Sequence, residues 1–399
     1  MRENGRLTFD QQVVAGAWNS EVELQGNVHS IRIGEGVGDI ANHRPRLHIY
    51  LPATLDATMD LAADYGEDED GEDVMAAVVT ELPNESLDGV WDTLVYADDV
   101  KARLLKYIHT TMLFSDANID FNIITWNRVV LLHGPPGTGK TTLCRALAQK
   151  LAIRLGDRYS HGKLIEINSH SLFSKWFSES GKLVQKLFAS VTEMADDPHG
   201  FVVILIDEVE SLTAARSSSM SGSEPSDALR VVNAILTQLD KLKQKKNVLV
   251  MTTSNLSESI DNAFVDRADI KQYIPLPPAQ AVYWILKSCL EELMRVRLIQ
   301  NTHFEPFGHQ SSADETTRQA SRALELLSHQ CVGVSGRTLR RLPVLAHARY
   351  IGLVASQGDN ASDPTSVLTW IEAMQYAIKD HLREMEQTLE GSRIKATAV

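Results

Sequence analysis

The sequence predicts an α/β protein: a doubly wound parallel sheet, followed by a smaller helical domain and preceded by a small α+β domain. Three observations lead to this fold class. Short apolar runs recur in the middle of the chain, amphipathic stretches separate them, and the C-terminal region carries helical patterns without strand-like runs. At 399 residues the chain is long enough for two or three domains.

The central region, residues 89–278, is predicted to form the sheet domain. Its apolar runs are nearly continuous, which is typical of parallel strands buried on both faces. The runs are RVVLLH at 128–133, LIEIN at 164–168, VVILID at 202–207, NVLVMTT at 247–253 and IKQYI at 270–274. Amphipathic stretches such as TTLCRALAQKLA and ALRVVNAILTQLDKL lie between them, so right-handed crossovers predict helices on both faces of the sheet.

The two regions that flank this domain have different residue patterns. Residues 1–88 contain short alternating runs, such as VELQGNVHSIRI and LHIYLP, broken by glycine and proline, and they predict a small domain with strands. The acidic run DYGEDEDGED at 64–73 is interpreted as a solvated loop. Residues 279–399 follow a proline-rich turn at 275–278 and predict a helical domain from stretches such as AVYWILKSCLEELMRV.

Composition argues against several classes of function, although it leaves a local basic patch possible. The net charge of -13 argues against a broad nucleic-acid-binding face, because neutralising phosphates needs clustered Lys and Arg. No apolar run is long enough to span a bilayer, and the first residues lack the apolar stretch of a secretory signal. Cys144, Cys289 and Cys331 have no paired or metal-type spacing, which predicts reduced thiols in a cytosolic or nuclear protein.

A phosphate-binding loop is the strongest signal in the chain. The stretch HGPPGTGKTT matches GxxxxGK(S/T), directly after a predicted strand and directly before a predicted helix. In this context Lys140 would reach the β- and γ-phosphates of a nucleotide, and the Thr141 hydroxyl would ligate Mg²⁺. The backbone of the loop would point its N–H groups at the phosphates. The predicted binding segment is Gly134, Pro135, Pro136, Gly137, Thr138, Gly139, Lys140, Thr141 and Thr142.

Polar residues end two further predicted strands. In FVVILIDEVESL the carboxylates of Asp207 and Glu208 follow an apolar run. Asp207 could hold the Mg²⁺ shell, and Glu208 could polarise a water for attack on the γ-phosphate. In VMTTSN the Asn255 amide could orient that water, although an ordinary turn-forming asparagine is the competing interpretation.

These motifs together resemble the AAA+ ATPases. The phosphate loop, IDEVESL, TTSN, DRADI and GVSGRTLRRLP occur in the order and approximate spacing of that family, over residues 89–390. The sequences NSHSLFSKWFSESGKLVQKLF and NAFVDRADIKQYI most resemble those of the branch of the family that remodels HORMA-domain proteins. The resemblance implies an ATPase that converts ATP and water to ADP and phosphate, with a large nucleotide-binding domain at 89–278 and a helical lid at 279–399.

The resemblance also implies roles for several arginines. Arg267, in VDRAD, matches the arginine finger that reaches the ATP of a neighbouring subunit, although the GRFD wording of most AAA proteins is absent. Arg337, in VSGRTLRR, matches the sensor arginine of the lid, with Arg340 and Arg341 as alternatives by charge. Arg216 is a further candidate for the subunit interface.

A pore loop is the remaining site that the resemblance implies. The stretch SLFSKWFSES places two large aromatic residues among serines, and it falls where an AAA+ ring grips its substrate. Lys175, Trp176 and Phe177 are the candidates. The Ser/Gly-rich stretch at 217–227 could be a second pore loop or a plain flexible loop.

The expected protein is a homo-hexameric ring that binds ATP and Mg²⁺ and partly unfolds HORMA-domain proteins through a HORMA-type adaptor. Residues 1–88 would recognise substrate or adaptor, and the location would be nuclear, on meiotic chromosomes, and cytoplasmic. Neither a membrane nor direct nucleic-acid binding is expected. Two alternatives stay open at this point: a nucleic-acid motor or clamp-loader-like ATPase, and an ATP-gated scaffold with little turnover.

Overall fold

A computed structural model provides the structure of the chain, which divides into two compact units, Met1–Leu51 and Pro52–Val399. The structure describes residues 12–13, 31–32, 48–54, 58–60, 77–96, 98–117, 119–120, 123–169, 180–211, 227–255, 260, 262–309, 314–351 and 364–397. In the first unit, β1 (Gln12–Val13) pairs with β2 (Ile31–Arg32) in antiparallel fashion. The LHIYLP run forms no strand over its described residues, 48–52.

The second unit is built on a sheet of seven strands among the described residues. The strands are β3 (Thr58–Asp60), β4 (Ala77–Leu82), β5 (Val129–His133), β6 (His161–Asn168), β7 (Gly200–Asp207), β8 (Val248–Ser254) and β9 (Ile270–Tyr273). Their order across the sheet is β3-β4-β6-β7-β8-β5-β9. The last five in this order run parallel, and each corresponds to one of the predicted apolar runs.

One edge of the sheet differs from the prediction of a parallel sheet. β4 pairs antiparallel with β6, and β3 pairs antiparallel with β4. An antiparallel edge on an otherwise parallel sheet is common in α/β folds. Both strands precede residue 88, so the sheet extends across the domain boundary that the sequence predicts there.

Helices cover both faces of the sheet, as predicted. Val129 and Leu131 of β5 belong to the core on one face, and Val130 and Leu132 to the core on the other, because successive side chains of a strand alternate. The helices are α1 (Val90–Thr93), α2 (Val100–Asp116), α3 (Lys140–Arg154), α4 (Ser180–Asp196), α5 (Asp227–Leu242) and α6 (Asn262–Arg267). The first core packs against α4 and α5, and the second against α2 and α3. The predicted α/β fold class is confirmed.

The segment that leads into α2 is anchored by Trp91, as the sequence indicates. Its side chain is buried in the core shared with α3. The Lys101 ammonium donates to the Trp91 carbonyl at 2.7 Å and lies over the indole ring, and Lys150 approaches the same ring. Such cation–π contacts add to the burial of the ring in holding the segment on the sheet domain.

The C-terminal region forms the predicted helical domain. Its helices are α7 (Ala279–Arg295), α8 (Glu315–Gln330), α9 (Gly336–Ala346), a π-helical turn (His347–Ile351) and α10 (Val367–Thr397). Two of them begin at side-chain caps: Asp314 accepts from the Thr317 N–H and Ser335 from the Thr338 N–H. Such caps satisfy N–H groups that the first turn leaves without partners.

All three cysteines lie in the described part of the chain and none is paired. Cys144 and Cys331 are buried, and burial raises the pKa of the Cys331 thiol to about 12. Over the described residues, none of the helices combines the length and the apolar character that crossing a bilayer requires.

Candidate nucleotide-binding site

The site lies where three neighbouring parallel strands end. β7, β8 and β5 are adjacent in the sheet, and their carboxyl ends carry the acidic pair, Asn255 and the phosphate loop. The loop is tied to this edge because the Gly134 N–H donates to the Ser254 carbonyl at 3.2 Å. The crevice outside the carboxyl ends of the strands is where open α/β sheets bind ligands.

Two glycines of the loop cannot be replaced without moving its surroundings. Gly134 has φ +143°, and a Cβ there would lie 2.3 Å from the Ile274 carbonyl oxygen. Gly137 has φ +73°, and a Cβ there would lie 2.8 Å from the Ser335 hydroxyl. These conformations belong to glycine, and they allow the loop to curl at the start of α3.

Lys140, the first residue of α3, is held under the loop. Its ammonium donates to the carbonyls of Gly134 and Pro135 at 2.9 and 2.8 Å and to Asn255 Oδ1 at 2.9 Å. The residue is only 5% exposed, and burial lowers the pKa of its side chain, while the carboxylates of the site act in the opposite direction. A buried cation with oxygen acceptors on one side suits an anionic ligand on the other.

Thr141 and Asp207 bring together oxygens of the kind that Mg²⁺ prefers. The Thr141 hydroxyl donates to Asp207 Oδ1 at 2.9 Å. The Thr253 hydroxyl donates to the same oxygen and accepts the Glu208 N–H at 3.2 Å. A hydroxyl beside an oriented carboxylate fits a magnesium ion bound together with nucleotide phosphates.

Glu208 lies at the open side of the site. Its backbone has φ +57°, a left-handed conformation uncommon for a residue other than glycine, and its side chain is exposed. Asn255 Nδ2 donates to Glu208 Oε1 at 3.3 Å, while Asn255 Oδ1 accepts from Lys140. The Asn255 carboxamide therefore joins the candidate phosphate-binding lysine, Lys140, to the candidate general base, Glu208.

The helical domain contacts the phosphate loop at the beginning of α9. The Arg337 N–H donates to the Gly137 carbonyl at 3.3 Å, and the Arg337 side chain is exposed beside the loop. Its charge is one that lowers the pKa of Lys140. Arg340 and Arg341 are also exposed on α9. Of these three arginines, Arg337 is the one whose backbone N–H is hydrogen-bonded to the phosphate loop.

Arg267, at the end of α6, is held by its own chain. Its guanidinium makes a bidentate pair with the Asp240 carboxylate of α5, at 3.1 and 2.7 Å, and donates to the Ala263 carbonyl at 2.8 Å. Hydrogen bonding from Arg267 lowers the pKa of Asp240. The finger role of Arg267 stays a prediction, since it concerns the site of another subunit.

The other predicted residues fall into two groups. Within the loop, Thr138 donates its hydroxyl to the Pro135 carbonyl at 3.1 Å, Pro136 is exposed, and Thr142 lies half-buried in the first turn of α3. Residues 170–179 and 212–226 lie outside the described residues. The pore-loop candidates Lys175, Trp176 and Phe177, and the interface candidate Arg216, belong to these ranges.

Three polar side chains of the site were not predicted from the sequence. Thr253 orients Asp207, as described above. The Ser169 hydroxyl donates to the carbonyls of Asp207 and Glu208 at 2.7 and 2.8 Å. Glu210 accepts the Asn255 N–H at 3.0 Å. Thr253 and Glu210 stand inside the predicted motifs TTSN and IDEVESL, so their positions, though not their contacts, were available from the sequence.

The fold and the site define a P-loop nucleotide-binding ATPase with a helical lid. The model of the AAA family (ATPase family associated with various cellular activities) matches residues 130–276. The model of the TRIP13-like AAA+ ATPase lid C-terminal domain matches residues 278–382.

Relatives agree with these matches. The pachytene checkpoint protein 2 homolog of Danio rerio is 48% identical over 373 residues, which cover 90% of this chain and 84% of the relative. The solved structure of C. elegans PCH-2 is 37% identical with a TM-score of 0.65, and the match covers 77% and 76% of the two chains. This chain belongs to the AAA ATPases and, within them, to the family of the pachytene checkpoint protein 2 homologues. The predictions of an AAA+ ATPase and of its branch are confirmed.

A more distant structure shows the same fold. It is the E. coli MS115-1 HORMA:CdnC:Trip13 complex, 20% identical with a TM-score of 0.54, and the match covers 75% of this chain and 94% of that one. At this identity the likeness concerns the fold alone.

Proposed function

We propose that this protein works as a homo-hexameric ring that uses ATP hydrolysis to unfold part of HORMA-domain proteins. A closed HORMA protein would be converted to the open state, and complexes that depend on the closed state would come apart. The family of the chain and its TRIP13-like lid support this function. The observation in this chain that carries the proposed ATP hydrolysis is the row of hydrogen bonds from Lys140 through Asn255 to Glu208, with the Thr141–Asp207 pair in the same site.

Each of these residues has a separate task in hydrolysis. Lys140 binds the β- and γ-phosphates, and Thr141 and Asp207 would hold Mg²⁺, which would neutralise phosphate charge when bound. Glu208 takes a proton from the attacking water, and Asn255 orients that water. Arg337, at the lid, contacts phosphate and couples the angle of the lid to the nucleotide.

In the proposed ring, Arg267 acts on the neighbouring subunit. Its task is to stabilise the charge on the transferring phosphoryl group of the neighbouring subunit, so that hydrolysis depends on assembly. Arg267 is the last residue of α6, and in its own chain its guanidinium is held by the Asp240 carboxylate of α5. A fixed arginine is a better finger than a mobile one, because its orientation is set before the neighbour arrives.

Substrate contact and location complete the proposal. Trp176 and Phe177, with Lys175, grip extended polypeptide in the pore, which amphipathic side chains can do without sequence preference. The region before residue 88 recognises the HORMA substrate or a HORMA-type adaptor. We propose two locations for the protein. In the nucleus it would act on meiotic chromosomes, in recombination control, and in the cytoplasm it would act in the spindle checkpoint.

A change in the candidate pore loop should affect remodelling without affecting ATP hydrolysis. In a Trp176→Ala variant we expect basal ATP turnover within about twofold of the wild type, because Trp176 is not among the residues to which we assign nucleotide binding or hydrolysis. Conversion of a closed HORMA protein should be lost. Turnover and the proportion of closed and open HORMA protein are measured on the same sample.

A matched control is Trp284→Ala, which removes a half-exposed tryptophan from α7 of the lid. It should retain conversion. Should Trp176→Ala remodel at the wild-type rate, or should it lower the unfolding temperature by several degrees, the pore-loop role would be wrong.

A further inference from the structure

Glu210 is the third acidic residue at the carboxyl end of β7, after Asp207, the last residue of the strand, and Glu208. Its Oε1 accepts the backbone N–H of Asn255 at 3.0 Å. Its Oε2 is buried and has no hydrogen-bond partner in the described part of the chain. A buried carboxylate oxygen is costly to leave without a partner, so the placement of this side chain needs a reason beyond packing.

The bond from Glu210 acts on the backbone of Asn255. The ladder hydrogen bonds of β8 end at Ser254, so Asn255 is the first residue past the strand. At this position the Glu210 carboxylate replaces the next strand partner. Because the N–H would otherwise have no partner past the end of the strand, this hydrogen bond fixes the direction in which Asn255 leaves the sheet.

The direction of Asn255 matters because both ends of its carboxamide are engaged. Oδ1 accepts from Lys140 at 2.9 Å, and Nδ2 donates to Glu208 at 3.3 Å. A rotation of the backbone at 255 would break both contacts together. Displacements of about 1 Å at a catalytic site can cost about 100-fold in rate.

We propose that Glu210 is a positioning residue for hydrolysis: by holding the Asn255 N–H, it keeps the Asn255 carboxamide between Lys140 and Glu208. Glu210 does this as a hydrogen-bond acceptor. It is not itself a catalytic residue, since it acts through Asn255. The inference rests on the roles proposed above for Asn255 and Glu208.

The test compares Glu210→Ala with Glu210→Gln. We expect Glu210→Ala to lower kcat by about 10- to 100-fold, while the Kd of a fluorescent ATP analogue stays within about threefold. Glu210→Gln should restore kcat to within about threefold, because its side-chain carbonyl can accept the same N–H. Glu193→Gln, the same change at an exposed position of α4, is the matched control.

Three results would overturn the inference. They are a normal kcat in Glu210→Ala, a Kd that worsens as much as kcat falls, and a Glu210→Gln variant as impaired as the alanine variant. Should Glu210→Ala fail to fold, Glu210→Met keeps the volume without the acceptor and takes its place, with the same expected loss.

A double-mutant cycle with Asn255→Ala separates this inference from the proposed function. In the Asn255→Ala background, removing Glu210 should cost less than about threefold further, because both changes act on one group. Additive losses would contradict the inference. A normal turnover in Asn255→Ala alone would instead contradict the role proposed for Asn255. A low turnover there with a normal Glu210→Ala would contradict only the role of Glu210.

Discussion

A Glu208→Gln variant is expected to bind ATP and assemble like the wild type and to hydrolyse it about 100-fold to 10,000-fold more slowly. The change keeps the shape of the side chain and removes its ability to take a proton from water. Binding should persist because it depends on Lys140 and the loop, which Glu208 does not contact directly among the described hydrogen bonds. Steady-state turnover and nucleotide affinity, measured on the same preparation, check this result.

Lys140→Ala is the comparison variant in the same site, and it is expected to affect nucleotide binding, which Glu208→Gln should leave intact. It removes the buried cation to which we assign phosphate binding, so its nucleotide affinity should fall along with its turnover. If Glu208→Gln lost affinity in the same way as Lys140→Ala, the acidic residue would be part of the binding site, and the general-base role would be wrong.

An Arg267→Ala variant is expected to lose about 1,000-fold in turnover while it keeps its nucleotide affinity. The reason is that, in the proposed ring, the arginine would complete the site of the neighbouring subunit and contribute nothing to its own. The variant also leaves Asp240 without its bidentate partner, so thermal unfolding is recorded to confirm that the fold is intact. The pair is only part-buried, so we expect a small change in stability.

Mixing the two inactive variants tests whether Arg267 acts in trans. An Arg267→Ala subunit retains Glu208, and a Glu208→Gln subunit retains Arg267, so one of the possible neighbour pairs has a complete site. In rings mixed randomly from equal amounts of the two variants, roughly a quarter of the interfaces should be active if the finger of one subunit serves the next, as proposed. Mixed rings with no recovered turnover, despite demonstrated co-assembly, would refute the trans arrangement.

Much of the sheet domain was predictable because its signals are local. A strand buried on both faces must be apolar throughout, and RVVLLH and VVILID have this composition. The antiparallel edge was not predicted. β4 has the sequence AVVTEL, with polar residues that suit a strand of mixed burial, and nothing in so short a run indicates its partner or direction. Pairing of β4 with β6 joins residues about 85 positions apart.

In the site, too, features with a local sequence signal were predictable and features that depend on distant contacts were not. Lys140, Thr141 and Asp207 follow from motifs, because the chemistry of phosphate binding restricts residue type and spacing. Contacts that depend on the register of neighbouring strands did not follow. Thr253 meets Asp207 because β8 lies beside β7, and Arg267 meets Asp240 because α6 packs near α5. Neither pair has a sequence spacing that would single it out.

The most direct test of the account is the conversion of a purified closed HORMA-domain protein by this chain. The closed and open states are separated after incubation with ATP or ADP, with a HORMA-type adaptor present, for the wild type and Glu208→Gln. We predict conversion only for the wild type with ATP, at a rate that follows ATP turnover. Equal conversion with ADP or by Glu208→Gln, or ATP turnover without any conversion, would contradict ATP-driven remodelling.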